Sequence, residues 1–309
     1  MAHNNARQAS AMPSGELDHH LRDLKLAFIA EHYGDLANQA AGKQWSHVDY
    51  LGRLIEGEAH LRRDRATHNR LRQARFPVIK TLDQFRWDWP AQINRLQVQH
   101  HFGLGFIKDK ANLIYLGGVG LGNTHLATAL GYTACLQGHS VLFASAIDVI
   151  NTLAAAKSAG RLKQELKKYT KPALLILDEL GYLPIDKSGA DLLFPVISVR
   201  YEQGSIMLTS NRALKEWPKM FNNDSTLTSA ILDRLLHHAE IVVIEGKSFR
   251  MRGQIESETS LHKASPGATF RFRRHPSSPC ASRIFKPPIF QHFHAVADTI
   301  VVCRITFRV

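Results

Sequence analysis

The chain has 309 residues, of which 44% are hydrophobic and 21% are charged, as in an ordinary globular protein. No apolar run is long enough to span a bilayer and three cysteines are too few for a disulfide framework, so both of those classes are excluded. The formal net charge of +12 indicates a polyanionic partner, because Lys and Arg attract phosphate backbones whatever their base sequence. Residues 1–14 are polar and lack the apolar core of a signal peptide, so we expect a disordered leader on a cytoplasmic protein.

Residues 15–76 are predicted to form a small all-α module for DNA binding or assembly. The apolar residues of its first helix share one face: Leu17, Leu21, Leu24 and Phe28. A second helical stretch begins near Leu51, becomes rich in arginine, and stops before Pro77, because proline disfavours helix in the residue before it. The DNA-binding candidates are five arginines of this stretch: Arg62, Arg63, Arg65, Arg70 and Arg72.

After a connector at 77–108, residues 109–256 alternate short apolar strands with helical segments. The predicted strands are 112–116, 140–144, 173–177, 205–209 and 241–244. The predicted helices are 124–137, 146–169, 188–203 and 226–239. Such alternation is typical of a three-layer α/β sandwich with a parallel sheet. The alternation ends at residue 256, and we expect residues 257–309 to be a poorly ordered, out-of-frame or fused tail, with a second basic nucleic-acid arm as the alternative.

The segment between the first strand and helix of this region follows the phosphate-binding pattern G-x-x-x-x-G-K-[ST] with one departure. Gly117, Gly122 and Thr124 fit the pattern, whereas Asn123 stands where the pattern has lysine. Backbone amides and the helix N-terminus of such a loop hold phosphates, and the Ser/Thr hydroxyl ligates magnesium. We therefore expect ATP and Mg²⁺ as cofactors, with a ligand-free glycine turn as the alternative. The predicted nucleotide contacts are Gly117, Gly118, Val119, Gly120, Leu121, Gly122, Asn123, Thr124 and His125.

Asn123 keeps a hydrogen-bond donor but has no charge and a shorter reach than lysine. The loss of a charge-assisted contact costs about 1.5–3 kcal/mol. Hydrolysis is expected to suffer more than binding, because charge stabilisation matters most in the transition state. The sequence thus predicts weak nucleotide binding and very slow turnover, and it leaves open whether the chain is still an ATPase.

Five further residues are candidates for acting at the site. Asp178 and Glu179 end an apolar strand, which places them near the loop; Asp178 is expected to join Thr124 in holding magnesium and Glu179 to polarise the attacking water. Asn211 follows the next strand and is expected to orient water, or else to form a turn. Arg234 is either an arginine finger for a neighbouring subunit or part of a surface ion pair, and Arg250 is a weaker phosphate-binding candidate.

Four segments together resemble the IstB-like transposition helper ATPases of bacterial insertion sequences, over roughly residues 15–256. These segments are 75–77 with 80–85, 115–122 with 124–127, 177–182, and 209–212. The resemblance implies a P-loop NTPase sandwich of AAA+ type, related to the helicase-loading ATPases, after a small all-α N-terminal module. It also implies an ATP-dependent homo-oligomer that binds double-stranded target DNA and recruits or stimulates the transposase of the same element.

Two departures from the family pattern bear on activity. Asn123 replaces the lysine, and Pro195 lies inside a predicted helix, where proline costs about 3 kcal/mol. With the tail, they suggest the hypothesis of a decaying or inactive copy of the element. The alternatives to an ATP-driven helper are a nucleotide-independent DNA-binding scaffold and a helicase-loader-like protein.

Overall fold

The computed structural model describes residues 14–89, 92–222 and 224–249. The predictions for the leader before residue 14, for Arg250 and for the tail at 257–309 lie outside the described residues. Among the described helices, none combines the length and the apolarity needed to cross a membrane.

Three helices open the described chain: α1 (Ser14–Asp23), α2 (Ala27–Lys43) and α3 (His47–Ala74). α3 begins with a capping box, in which Ser46 Oγ accepts from the Asp49 amide at 3.1 Å and the Asp49 carboxylate accepts from the Ser46 amide. It ends at Ala74, and the following residue, Arg75, is left-handed with a φ of 58°, just before the predicted stop at Pro77. The predicted N-terminal helical module is therefore present.

The turn between α1 and α2 is held by a buried charge on α3. Glu58, only 4% exposed, accepts from the Phe28 amide at 2.9 Å and from Arg62 Nε at 3.0 Å. Arg62 in turn donates to the Lys25 carbonyl at 3.1 Å. Burial raises the pKa of Glu58, but the hydrogen bonds from Arg62 and from backbone amides outweigh it and leave the pKa below its usual value. Glu58 and Arg62 thus fix the packing of the three helices.

From residue 112 onward strands and helices alternate as predicted, whereas two short helices precede them in the predicted connector at 77–108. The strands are β1 (Asn112–Gly117), β2 (Val141–Ser145), β3 (Leu174–Leu180), β4 (Ser205–Ser210) and β5 (Ala239–Ile244). The helices are α4 (Arg95–His101), α5 (Gly105–Lys108), α6 (Asn123–Leu136), α7 (Ala146–Ser158), α8 (Leu162–Thr170), α9 (Lys187–Arg200), α10 (Trp217–Met220) and α11 (Ser225–Leu236). Two short 3-10 turns lie at Leu82–Gln84 and Leu214–Glu216.

The five strands form one parallel sheet in the order β2-β3-β4-β1-β5. Both faces are covered by helices, as is typical of parallel sheets, although Ile241 and Val243 of the edge strand β5 are exposed. On one face, α6 and the end of α3 cover side chains such as Leu113 and Ile176. On the other, α7, α9 and α11 cover side chains such as Ile114 and Leu175. The predicted three-layer α/β sandwich is confirmed.

Three predicted elements differ from the structure. The first predicted helix is broken, because Leu24 lies in the turn after α1 and is 66% exposed, and Phe28 belongs to α2. The single helix predicted over 146–169 is broken into α7 and α8, because the chain turns through Gly160 at a φ of 67°, which glycine adopts without a steric penalty. β3 continues past the predicted end at Leu177, because Leu180 pairs again with Ser210 of β4 after an irregularity. α9 contains Pro195 and nevertheless continues to Arg200.

Arg200 fixes the starts of β3 and β4. Its guanidinium is 1% exposed and donates to five backbone carbonyls, those of Tyr169, Thr170, Pro172, Ala173 and Ser205. Burial lowers its pKa to about 10. Because these carbonyls precede or open the two strands, one side chain sets how β3 and β4 enter the sheet.

α3 is attached directly to the sandwich. Arg70 Nε donates to the Cys135 carbonyl in the last turn of α6 at 2.9 Å, and its Nη2 donates to Thr67 Oγ1. The end of α3 also packs against β2. The helical module and the sheet are therefore joined through the helix that follows the glycine loop.

Candidate nucleotide site

A cavity of about 740 Å³ lies at the carboxyl ends of β1, β3 and β4. The glycine loop forms one wall, since all nine predicted nucleotide contacts from Gly117 to His125 line it. Glu179 and Asn211 line the cavity from the sheet edge. The structure thus brings the loop and two of the predicted catalytic residues to one cavity, as expected where parallel strands end.

The loop runs from the end of β1 to the start of α6. Gly122 stands just before α6 with a φ of 97°, and a β-carbon there would lie 2.6 Å from Phe85 Cε2. Only glycine fits this position, on both backbone and steric grounds. α6 begins at Asn123, so its free amides and the positive end of its dipole face the cavity.

Asn123 binds its own loop. Its Nδ2 donates to the Gly117 carbonyl at 2.7 Å, and its Oδ1 is buried without a hydrogen-bond donor among the described residues. The side chain therefore closes the loop across its base and brings no charge into the cavity.

Thr124 and Asp178 form a pair of oxygen ligands beneath the loop. Thr124 Oγ1 donates to Asp178 Oδ2 at 2.9 Å, and Asp178 is 4% exposed. The Thr209 hydroxyl donates to the other carboxylate oxygen. A hydroxyl and a carboxylate are the hard oxygen ligands that Mg²⁺ prefers, so the predicted metal residues fit that ion.

Glu179 points away from Asp178, into the cavity, because the backbone of β3 is irregular there. Its φ of 59° is left-handed, which is costly for a residue with a side chain. Its amide donates to Thr209 Oγ1 at 3.0 Å, which holds this conformation. The side chain is exposed. The bend thus separates the two acids, with Asp178 beneath the loop and Glu179 in the open cavity.

Arg234 lies outside the cavity of its own chain. Its guanidinium lies 4.8 Å from the Phe194 ring centroid, and its Nη1 donates to the Ala230 carbonyl at 3.1 Å. A role at a neighbouring subunit's nucleotide stays a prediction.

The second wall of the cavity comes from the predicted connector, for which the sequence predicts no site residue. Its lining residues are Pro77, Val78, Lys80, Gln84, Phe85, Arg86 and Trp89. The wall is attached to α6 through His125. His125 Nε2 donates to the Thr81 carbonyl at 3.0 Å, and the Phe85 ring meets the His125 ring edge-on, with 5.4 Å between the ring centroids. The aromatic residues of the connector are the sequence feature from which this wall could have been predicted.

The five candidate DNA-binding arginines differ in their surroundings. Arg62 and Arg70 are engaged in the contacts that hold α3 to α1, α2 and α6. Arg62 is nevertheless exposed, as are the other three: Arg63, Arg65 and Arg72. Arg63 donates to the Ala59 carbonyl and Arg72 to Asn69 Oδ1, both on the same helix.

Comparison with known proteins places this geometry in a family. The model of the IstB-like ATP binding protein family matches residues 19–257. The chain belongs to this family. The fold of this IstB-like chain is a P-loop sandwich with the strand order described above.

Two curated relatives cover most of the chain. The putative ATP-binding protein of insertion sequence IS21 from Pseudomonas aeruginosa is 41% identical over 251 residues, 81% of this chain and 94% of the relative. The putative ATP-binding protein of IS232 from Bacillus thuringiensis subsp. berliner is 38% identical, over 79% of this chain and 97% of the relative. Among solved structures, the DnaC helicase loader is 22% identical with a TM-score of 0.45, over 53% of this chain and 96% of that chain.

Proposed function

We propose that this IstB-like chain binds ATP with Mg²⁺ in the cavity and acts as a helper for transposition of its insertion sequence. The carrying observation is the Thr124–Asp178 pair, with Oγ1 and Oδ2 2.9 Å apart, beneath a glycine loop whose amides face a cavity large enough for a nucleotide. The family membership and the names of the curated relatives support ATP binding.

The residues of the cavity divide the work of binding and hydrolysis. The loop amides and the start of α6 hold the phosphates. Thr124 and Asp178 hold Mg²⁺, which neutralises phosphate charge when bound. Glu179 accepts a hydrogen bond from the attacking water, and Asn211 helps to orient that water. Arg234 reaches the nucleotide of a neighbouring subunit in a homo-oligomer.

Asn123 lowers the affinity of this site for nucleotide. Its amide already donates to the Gly117 carbonyl and carries no charge, so the β- and γ-phosphates lack the contact that a loop lysine would supply. We infer that ATP binds weakly and is hydrolysed very slowly.

The test compares the chain with Asn123→Lys and with Asn123→Gln, which adds length without charge. ATP affinity is measured by calorimetry, and hydrolysis by phosphate release, each with and without double-stranded DNA. Asn123→Lys is expected to tighten binding by about 1.5–3 kcal/mol, roughly 10- to 150-fold, and to raise turnover by more, whereas Asn123→Gln gives no gain. Equal turnover by the chain and by Asn123→Lys would overturn the assignment of Asn123.

The second part of the proposal is binding to double-stranded DNA through the exposed arginines of α3, with recruitment or stimulation of the element's transposase. The net charge of +12 supports a polyanionic partner. The Asn123–Gly117 hydrogen bond favours a second candidate, a DNA-binding scaffold that uses no nucleotide. Salt-sensitive DNA binding that ATP leaves unchanged would favour the scaffold, and ATP-stimulated assembly on DNA would favour the helper.

A further inference from the structure

The nucleotide cavity receives a lysine from outside the glycine loop. Lys80 belongs to the connector wall and is half-buried at the cavity. The loop has Asn123 where the phosphate-binding pattern has lysine. The cavity therefore lacks a cation on the loop but has one, Lys80, on the connector wall.

The segment around Lys80 is fixed next to the loop. The carbonyl of the following residue, Thr81, accepts from His125 Nε2 at 3.0 Å, and His125 lies in the first turn of α6. The Thr81 amide and hydroxyl are bonded to Gln84 and Asp83, which forms the 3-10 turn. Lys80 is thus tied to the end of α6 at which phosphates are expected.

The electrostatics of the lining leave Lys80 available for an anion. Among the described residues, Lys80 has no ion-pair or hydrogen-bond partner. The other strong cation of the lining, Arg86, is paired with Asp88 at 2.7 Å. Glu179 is the acid of the described lining, and it stands on the sheet side of the cavity.

We propose that Lys80 supplies the cationic contact to the nucleotide phosphates that Asn123 does not make. A lysine ammonium on a flexible four-carbon stem reaches across a cavity wall and binds phosphate as a point charge. The inference rests on the proposed ATP binding. It adds that the charge comes from the connector, so the bound phosphates draw the connector wall and the loop together.

The test measures the affinity of the full chain for ATP, ADP and adenosine by calorimetry. The variants are Lys80→Gln, Lys80→Arg and Lys108→Gln, a control at an exposed lysine outside the cavity lining. Lys80→Gln is expected to weaken ATP by about tenfold or more and to leave adenosine unchanged, because only the phosphates carry charge. Lys80→Arg retains ATP affinity, and Lys108→Gln behaves as the unchanged chain.

Lys80→Gln is also made in an Asn123→Lys background, which completes a double-mutant cycle. There the loop lysine contacts the phosphates, so Lys80→Gln is expected to cost a smaller factor than in the original chain. ATP affinity unchanged by Lys80→Gln would overturn the inference and leave the proposed function standing. Equal losses for ATP and adenosine would also overturn it, because they indicate a base contact or a folding defect. If the unchanged chain binds no ATP at all, the proposed function and the inference both fall.

Discussion

Thr209 of β4 bonds to both acidic residues near the end of β3, and its removal tests how the site is organised. Thr209 is 2% exposed; its hydroxyl donates to the Asp178 carboxylate and accepts from the Glu179 amide at 3.0 Å. Thr209→Val keeps the shape of the side chain and deletes both hydrogen bonds. A hydrogen bond to a charged group contributes about 1.5–3 kcal/mol, and an unsatisfied buried amide costs about 1–3 kcal/mol.

Two features keep the expected loss below the sum of these terms. Asp178 retains its hydrogen bond from Thr124, and the end of β3 is close enough to the open cavity for water to reach the freed Glu179 amide. We therefore expect Thr209→Val to lower the free energy of unfolding by about 2–4 kcal/mol. Since Thr209 also holds Glu179 in its left-handed conformation, magnesium-dependent hydrolysis should fall further than nucleotide binding.

The assay is urea unfolding followed by circular dichroism, with ATP affinity and phosphate release measured on each variant. Thr209→Ser is the matched control, because it keeps the hydroxyl and loses only a methyl group. A loss below about 1 kcal/mol for Thr209→Val, or an equal loss for Thr209→Ser, would refute the bridging role.

Three further predictions concern DNA, folding and pH. Replacing Arg63 and Arg65 by Ala should weaken DNA binding and lower the slope of log affinity against log salt by about 2, and an unchanged slope would remove them from the interface. Arg200→Met leaves five carbonyls without their donor and should cost at least about 3 kcal/mol in urea unfolding; a cost under 1 kcal/mol would contradict this. Burial lowers the pKa of His101 despite its contact with Glu240, so unfolding takes up protons below the ordinary pKa of about 6.5. Stability should be full above pH 6.5 and be lost as pH falls through the folded pKa, and His101→Gln should flatten that profile.

The strands and the glycine loop were predictable because their signals are local. Short apolar runs mark buried parallel strands, and the spacing of Gly117, Gly122 and Thr124 marks the loop. The break at Gly160 was missed because residues on both sides of it continue a helical pattern.

The connector wall could not be predicted in the same way. Phe85 meets Gly122 and Thr81 meets His125 only through the folded chain, and no spacing within residues 77–89 announces either contact. The contacts of the arginines of α3 could not be predicted for the same reason. Arg62 and Arg70 look like their exposed neighbours in sequence, but their partners, the Lys25 and Cys135 carbonyls, lie 37 and 65 positions away.

α6 begins at the glycine loop and ends, 14 residues later, where Arg70 of α3 binds its last turn. At a rise of 1.5 Å per residue, α6 is an unbroken helix about 21 Å long. If the phosphate-facing end of α6 tilts, the other end tilts with it, and that end contacts α3 with its exposed arginines. α6 therefore couples the cavity mechanically to the helix that carries the exposed arginines.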